Sequence, residues 1–339
     1  MARVLVGVMT RNRLRYARET VRSVLAQRCT DIRVIVSENP TTPEAARELR
    51  DWVASLGDAR IEYVLQPVDG GEYGQGRALL ARLRDEPYIC FMHDDDAMGP
   101  DYLARAVAAL DAAPQAVLFQ SGQQVIDGDG LAREDWSDDY ARFQSRQRPE
   151  GLMADALAVL LRHGLFSISG AVLRSVPLRA RGLVDPDLGG IYPFEFNVFL
   201  RALEGGAPAW YTPDRLLQYR WHAQSMRHTD GATLTGYMVR DLVTLLERRR
   251  FDGQAERMRR RLLAYNLRNL AMIELVAAGR AGAAWPAMRR ALRLHPTGTS
   301  LWRSAADLLL RPAGLQHHFA PRVNLAAPSP SWAEAIPRG

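Results

Sequence analysis

Apolar positions in the first part of the chain switch repeatedly between two periods. Val4 to Val8 is a short unbroken apolar run, and Leu14, Ala17, Val21, Val24 and Leu25 follow at helical spacing. Ile32 to Val36 is a second, β-branched run, and Pro43, at a favoured first helical position, opens a helix reaching about Leu56. Ile61 to Leu65 predicts a third strand, Tyr88 to Met92 a fourth and Ala116 to Gln120 a fifth. The glycine-rich stretch Asp69 to Gly76 reads as a loop leading into a helix that ends near Arg84, and Pro100 opens another helix reaching Ala113. Strands separated by helices predict a mainly parallel sheet covered on both faces. Ligands of such sheets bind beyond the carboxyl ends of the strands. The loops Thr10 to Asn12, Ser37 to Asn39 and His93 to Asp96 are therefore the places for chemistry.

The second half is less regular. Residues 121–150 are polar without a clear period and read as a long loop. A helix near Leu152 to Arg162, an apolar strand near Phe166 to Leu173 and a helix from Pro193 to Leu203 follow, and Arg215 to Trp221 looks like an edge strand ending at His222. Leu234 to Leu310 is helical in pattern, and the Pro-rich tail after Pro312 reads as poorly ordered. The expected organisation is residues 1–230 as one α/β domain, with 1–120 and 121–230 as its halves. A helical extension over 231–312 and a tail over 313–339 complete it.

Composition sharpens this picture in three ways. Hydrophobic residues make up 47% of the 339, enough for a sizeable core. The two cysteines, Cys29 and Cys90, form no CxxC pair, which argues against a disulfide scaffold or cysteine zinc site and fits a reducing compartment. The opening MARVLVGVMT is too short an apolar run for a signal peptide or a membrane span. The net charge is +6 and every basic side chain is arginine. Between Tyr237 and Arg311 stand 15 Arg against 6 acids, a local excess of +9 that suits an anionic partner surface.

Asp94, Asp95 and Asp96 are the strongest chemical signal. Adjacent carboxylates repel unless something positive sits among them, and oxygen-rich clusters suit Mg2+ or Mn2+. An isolated DDD is as readily a solvated turn before the helix at Pro100, but delivery straight from a strand favours the metal. The stretch DGGEYGQGR offers backbone N–H groups for a diphosphate, with Asp69 and Arg77 at its ends, though it matches neither the Walker loop nor GxGxxG. Glu195 alone reads as a helix-start glutamate complementing the dipole, and His222 alone as a structural histidine.

Three segments together resemble family 2 glycosyltransferases of the GT-A fold. VGVMTRNRLRYARETVRSVLAQRCTDIRVIVSEN resembles their opening strand, loop and helix, YICFMHDDDAMGPDYL their metal-binding segment, and FEFNVFLRALEGGAPAWYTPDRLLQYRWH the stretch carrying the base and an Arg-x-His element. The resemblance covers about residues 3–222 in the right order. It implies a Rossmann-like mixed, mainly parallel sheet with a C-terminal helical extension. It implies an inverting, metal-dependent transfer from a UDP-, dTDP- or GDP-linked sugar to a hydroxyl acceptor, a glycan or lipid-linked one, in polysaccharide or other glycan biosynthesis. Thr10, Asn12, Arg13, Glu38, Asp69, Arg77 and Asp94 then fall at the nucleotide sugar, Asp94, Asp95, Asp96 and His222 at Mg2+ or Mn2+, and Glu195 at the general base. For that work Glu195 is expected to carry a pKa raised by partial burial among Phe194, Phe196 and Phe199.

The departures from the pattern are His93 in place of a first acid, Glu38 where aspartate is commoner, and Phe194 in place of the first of two acids. Asp185 and Asp187 remain rival bases, and a non-catalytic sugar-nucleotide-binding or scaffold protein remains the alternative function. A nucleic-acid partner is not expected, because no binding motif is present and the basic excess is confined to the C-terminal region. That region serves a peripheral contact with an anionic membrane, packing on the catalytic domain, or a homodimer. The implied location is the cytoplasm, peripherally at the inner face of the membrane.

Overall fold

The computed structural model describes residues 2–144, 147–164, 166–188, 194–222, 232–278 and 281–310. The expected tail over 313–339 lies outside them. Among the described residues the chain divides into two compact units, one within 1–157 and 165–225, the other within 158–164 and 226–329.

The first unit is built on one mixed sheet. Its strands are β1 (Val4–Thr10), β2 (Ile32–Glu38), β3 (Ile61–Leu65), β4 (Tyr88–His93), β5 (Ala97–Met98), β6 (Leu118–Ile126), β7 (Gly151–Met153), β8 (Val172–Arg174) and β9 (Ala209–Arg220). They lie in the order β3-β2-β1-β4-β8-β6-β9-β5, with β7 paired to β9. β1 runs parallel to β2 and β4, β2 to β3, and β6 to β9; the pairings of β8 with β4 and β6, of β5 with β9 and of β7 with β9 are antiparallel. Every residue of β1 is buried, as an interior parallel strand covered on both faces requires. The helices are α1 (Leu14–Leu25), α2 (Pro43–Ser55), α3 (Gly71–Ala81), α4 (Tyr102–Ala112), α5 (Glu134–Phe143), α7 (Ser175–Arg181) and α8 (Phe194–Ala202), while α6 (Ala156–His163) begins here but belongs from Ala158 onward to the second unit. Ala17, Val21 and Val24 of α1 and Leu103, Ala106 and Leu110 of α4 close one core cluster against Val4, Val6 and Val8. The Thr42 hydroxyl caps α2 by accepting from Ala45 N–H at 3.3 Å, with Pro43 as first helical residue.

Three expectations are corrected. Residues 121–150 are not one long loop: β6 continues to Ile126 and α5 follows, packed through Tyr140 on Val125 and Trp221. Polar Gln123 and Gln124 interrupt the apolar pattern there and conceal the strand. Arg215 to Trp221 is not an edge strand: its residues to Arg220 belong to the long inner β9, flanked by β6 on one side and by β5 and β7 on the other. The glycine-rich stretch is not an open loop, because α3 begins at Gly71. Glycine serves close packing in that helix: a Cβ on Gly76 would lie 2.7 Å from Phe194 Cζ, and one on Gly70 2.9 Å from the Gly74 backbone.

The second unit is helical: α9 (Ala232–Glu247), α10 (Gly253–Ala278), α11 (Ala281–Leu294) and α12 (Thr299–Leu310). Met272, Leu275, Ala284, Met288, Ala305 and Leu308 form its core cluster. Among the described residues no helix is long and apolar enough to cross a membrane.

Candidate active site

β1 and β4 are parallel neighbours, paired from Val4↔Tyr88 to Met9↔His93. Their carboxyl ends therefore deliver Thr10 and the His93-Asp94-Asp95-Asp96 turn to one place. Thr10 Oγ1 donates to Asp94 Oδ2 at 2.7 Å, and Arg11 N–H donates to the same oxygen at 3.3 Å. Arg13 Nη1 reaches Asp94 Oδ1 at 3.1 Å and Asp95 Oδ2 at 2.6 Å. The Thr20 hydroxyl of α1 sits 2.8 Å from the Asp94 carbonyl and 2.6 Å from that of Asp96, donating to one at a time.

The end of β9 completes the cluster. Buried Arg220 donates its backbone N–H to Asp96 Oδ1 at 2.9 Å, its Nε to the Asp95 carbonyl at 2.8 Å and its Nη2 to Glu19 Oε2 at 2.6 Å. Its guanidinium lies 4.9 Å from the Tyr16 ring centre. His222 Nε2 stands 3.1 Å from Asp95 Oδ2, and its ring packs at 4.8 Å on Tyr16. Glu195, at the start of α8, accepts the Ile168 N–H at 2.9 Å and lies near enough to His93 to help hold that imidazole protonated.

The electrostatics follow from burial. Asp94 and Asp96 are both raised well above the ordinary carboxylate range, first by burial and then by the Asp95 charge. Burial acts on Asp95 too, but the hydrogen bond from His222 and the charges of His93 and Arg13 outweigh it and hold Asp95 low. His93 is raised to about 9, because the carboxylates of Glu72, Asp95, Asp96 and Glu195 outweigh its burial.

The donor set fits a divalent ion. One ligand atom each from His93, Asp95 and Asp96 lie within 4.8 Å of one another. Asp96 Oδ2 is buried without a hydrogen-bond partner, and so is His93 Nε2, whose 3.4 Å approach to Glu72 Oε1 is an ion-pair contact only. Two orphaned ligand atoms beside an ionised carboxylate are what a hard cation with one nitrogen ligand satisfies. The grouping differs from the sequence expectation: His93 joins Asp95 and Asp96, whereas Asp94 has one oxygen committed to Thr10 and Arg11.

The other anticipated residues are distributed as follows. Glu38 ends β2 buried, with the Tyr63 hydroxyl donating to Oε2 at 2.6 Å, and its pKa is raised by burial. Asn12 adopts a left-handed backbone, φ 56°, between Arg11 and Arg13. Asp69 accepts Gly71 N–H at 3.0 Å, which starts α3, and pairs with Arg11 at 3.0 Å on the surface. Arg77 is exposed on α3, its guanidinium 5.5 Å from the Tyr73 ring centre. Of the rival bases, Asp185 is paired with Arg201 at 2.7 Å and Asp187 is exposed. Trp221 packs on Val125 and Tyr140.

Sequence reasoning missed Arg220, Glu72, Thr20 and Gln75. Gln75 Nε2 donates to the carbonyls of Thr10 at 3.0 Å and Ser37 at 2.6 Å, bolting α3 to the ends of β1 and β2. The RWH triplet contained the signal for Arg220. Glu72 and Gln75 lie within the glycine-rich stretch, where only the glycines and the end residues drew notice, and Thr20 sits mid-helix in α1, where no motif marks it.

A nucleotide-binding type of sheet with acids at its carboxyl edge is the architecture of the GT-A glycosyltransferases, and solved structures of that class share this fold. Residues 1–349 of S. aureus TarS in complex with UDP-GlcNAc match with a TM-score of 0.60 at 12% identity, over 94% of this chain and 93% of that one. The mannosyltransferase PcManGT from Pyrobaculum calidifontis, in complex with GDP-Man and Mn2+, matches with a TM-score of 0.56 at 17% identity, over 92% and 87%. Over residues 5–166 the chain matches the family model for glycosyl transferase family 2. The protein y4gI of Sinorhizobium fredii (strain NBRC 101917 / NGR234) is 27% identical over 127 residues, 36% of this chain; the match spans 14% of that relative's length.

Proposed function

We propose that this chain is an inverting glycosyltransferase that moves a sugar from a nucleoside diphosphate to an acceptor hydroxyl. The observation that carries the reading is the convergence of Asp94, Asp95, Asp96, His93, His222 and Glu195 at the carboxyl edge of β1 and β4. UDP and GDP are the nucleotides named for the structures that share the fold, with dTDP as a further candidate.

Glu38, Thr10 and Asn12 border the place for base and ribose, with Asp94 on the ribose and Asp69 and Arg77 toward the diphosphate. His93, Asp95, Asp96 and His222 would hold Mg2+ or Mn2+, which when bound supplies positive charge against the departing diphosphate. Glu195 takes the proton from the acceptor hydroxyl as that oxygen bonds to the anomeric carbon and the carbon–phosphate-oxygen bond breaks, inverting the configuration. Its fixed Ile168 N–H contact supports this assignment, and the Arg201 pairing of Asp185 argues against the nearest rival. Phe194, in place of a second acid, fills the space over Gly76 and anchors the turn of helix that carries Glu195.

A thermal-shift screen of nucleotide sugars with Mn2+ or Mg2+ tests the reading. Ligand at 100 times its Kd adds about 2.7 kcal/mol to the folded state. The sugar that shifts the midpoint is then tested for metal-dependent donor hydrolysis. A screen in which no nucleotide sugar moves the midpoint sinks the proposal. Binding without hydrolysis or transfer favours a non-catalytic sugar-nucleotide-binding protein.

For the acceptor side we infer a membrane-associated glycan or lipid-linked acceptor at the cytoplasmic face. The helical unit supports this. Arg248, Arg250, Arg257, Arg260 and Arg261 are exposed on it, and exposed Trp302 and Leu309 share one face of α12. Full-length protein should float with anionic but not neutral liposomes, and Arg260→Glu with Arg261→Glu should reduce the bound fraction. Equal flotation with both liposome types, or undiminished flotation of the double variant, removes the helices from membrane contact and leaves dimerisation for sizing chromatography.

A further inference from the structure

One guanidinium nitrogen bridges two of the three aspartates. Arg13 Nη1 lies 2.6 Å from Asp95 Oδ2 and 3.1 Å from Asp94 Oδ1, with 21% of its side chain exposed. Asp95 is also one of the three residues grouped for the ion, so a positive atom on it is placed to compete with a divalent cation. The placement is built into the backbone. Asn12, immediately before it, is the one described non-glycine residue with positive φ, and that left-handed step carries the chain from the end of β1 toward α1. The two acids do not depend equally on Arg13. Asp94 Oδ2 is already held by Thr10 and the Arg11 N–H, and the Asp95 oxygen under Arg13 is shared with His222. Arg13 thus neutralises groups whose remaining hydrogen bonds are already fixed.

We propose that Arg13 is a resident counter-cation, holding the Asp94–Asp95 pair in the unloaded protein and giving way when a divalent ion and a nucleoside diphosphate arrive together. The inference rests on the donor-binding reading above. Two cations at one buried oxygen repel strongly. Metal without nucleotide must therefore compete with Arg13 for Asp95. When a diphosphate is present, the displaced guanidinium has a new anionic partner to which it can make paired N–H contacts. Metal and nucleotide are then coupled: each binds better in the presence of the other.

The test measures Mn2+ binding to the full chain by the loss of the free-ion EPR signal, with MnCl2 alone and with MnCl2 plus UDP or GDP. Wild type should bind Mn2+ weakly alone and more tightly with nucleotide. Arg13→Gln should bind Mn2+ alone about tenfold more tightly than wild type, and the gain on adding nucleotide should shrink correspondingly. Arg13→Lys, which keeps the charge on a single donor, should stay near wild type. Asp95→Asn should abolish Mn2+ binding in either background. If Arg13→Gln folds by circular dichroism and binds Mn2+ no more tightly than wild type, while Asp95→Asn still abolishes binding, the ion sits against His93, Asp95 and Asp96 with Arg13 undisturbed. The counter-cation proposal then falls and the transferase reading stands. Absence of Mn2+ binding in every variant, with and without nucleotide, overturns both.

Discussion

Buried and half-buried arginines occur in both units and are satisfied in opposite ways. In the helical unit, Arg259 donates to the Leu246 carbonyl at 2.7 Å and to Glu256, three residues away in the same helix. Arg249 donates to the Leu245 carbonyl at 3.0 Å. Both guanidinium groups occupy carbonyls in the last turn of α9, so their work is to end a helix. At the sheet end, Arg13 and Arg220 instead reach acids and carbonyls 81 to 201 positions away in sequence. Even so, Asp96 Oδ2 and His93 Nε2 are left without hydrogen-bond partners. Charges closed locally mark structure. Charges gathered from distant strands and left incompletely satisfied mark a place that waits for a ligand.

The largest effect should come from Asp95→Asn, which keeps the shape and removes the carboxylate of the triple aspartate whose pKa its neighbours hold low. Metal-dependent donor hydrolysis or transfer should fall by about a thousandfold, with the fold intact by circular dichroism. Residual activity within a few fold of wild type would erase the functional side of the contrast.

Arg259→Met probes the other side. It strands the Leu246 carbonyl and the Glu256 carboxylate, and should lower unfolding free energy by about 1–3 kcal/mol in urea titrations while nucleotide affinity stays put. A loss of nucleotide binding without loss of stability would mean that the helical arginines belong to the site. Gly76→Ala tests the seam behind Glu195. The added methyl lies 2.7 Å from Phe194 Cζ and 2.8 Å from Leu183 Cδ2, and should cost about 1–3 kcal/mol and lower turnover more than donor affinity. An unaltered variant would free Phe194 from its anchoring role.

The parts of this architecture that were legible in the sequence are those where chemistry and periodicity are local. β1 and β4 are mostly apolar runs, β2 is β-branched on either side of Arg33, and the aspartates follow β4 directly, so fold and acids could be read together. β6 could not, because its interior carries Ser121, Gly122, Gln123 and Gln124 and its register against β9 shifts twice at a bulge. Arg13 and Arg220 were visible as residues, yet their partners were not, since pairing across the sheet end depends on topology. His93 was read as a departure from an acidic motif. Only the three-dimensional cage of Glu72, Asp95, Asp96 and Glu195 shows why a base is stable there.

The contrast also predicts a pH signature for the metal-free protein. Burial and the neighbouring Asp95 charge raise Asp96 from 3.8 to about 7. A carboxyl so raised binds more protons folded than unfolded, so its contribution to unfolding free energy falls as pH rises from about 4 through 7. His93 is raised from 6.5 to about 9, so the stability it lends is complete below 6.5 and lost as pH climbs through 9. Both act in the same direction, and thermal midpoints should decline from pH 5 to pH 9. Millimolar Mn2+ should flatten the decline by pairing with the carboxylates. A metal-free profile that rises across this range would show that the cluster is not the dominant titrating group.

The smallest effect isolates the backbone that aims Arg13. Asn12 holds φ 56°, a conformation that asparagine tolerates and alanine resists by about 1–2 kcal/mol. Asn12→Ala should therefore lower stability by up to that amount, and Asn12→Gly by much less, although both remove the same side chain. The nucleotide-contact reading of Asn12 predicts the reverse pattern: equal loss of nucleotide affinity in both variants and no stability difference between them. Urea unfolding and UDP or GDP titration of the two variants separate a residue that shapes the loop from one that touches the ligand. A glycine variant with wild-type nucleotide affinity would assign Asn12 wholly to the turn that brings Arg13 onto the aspartates.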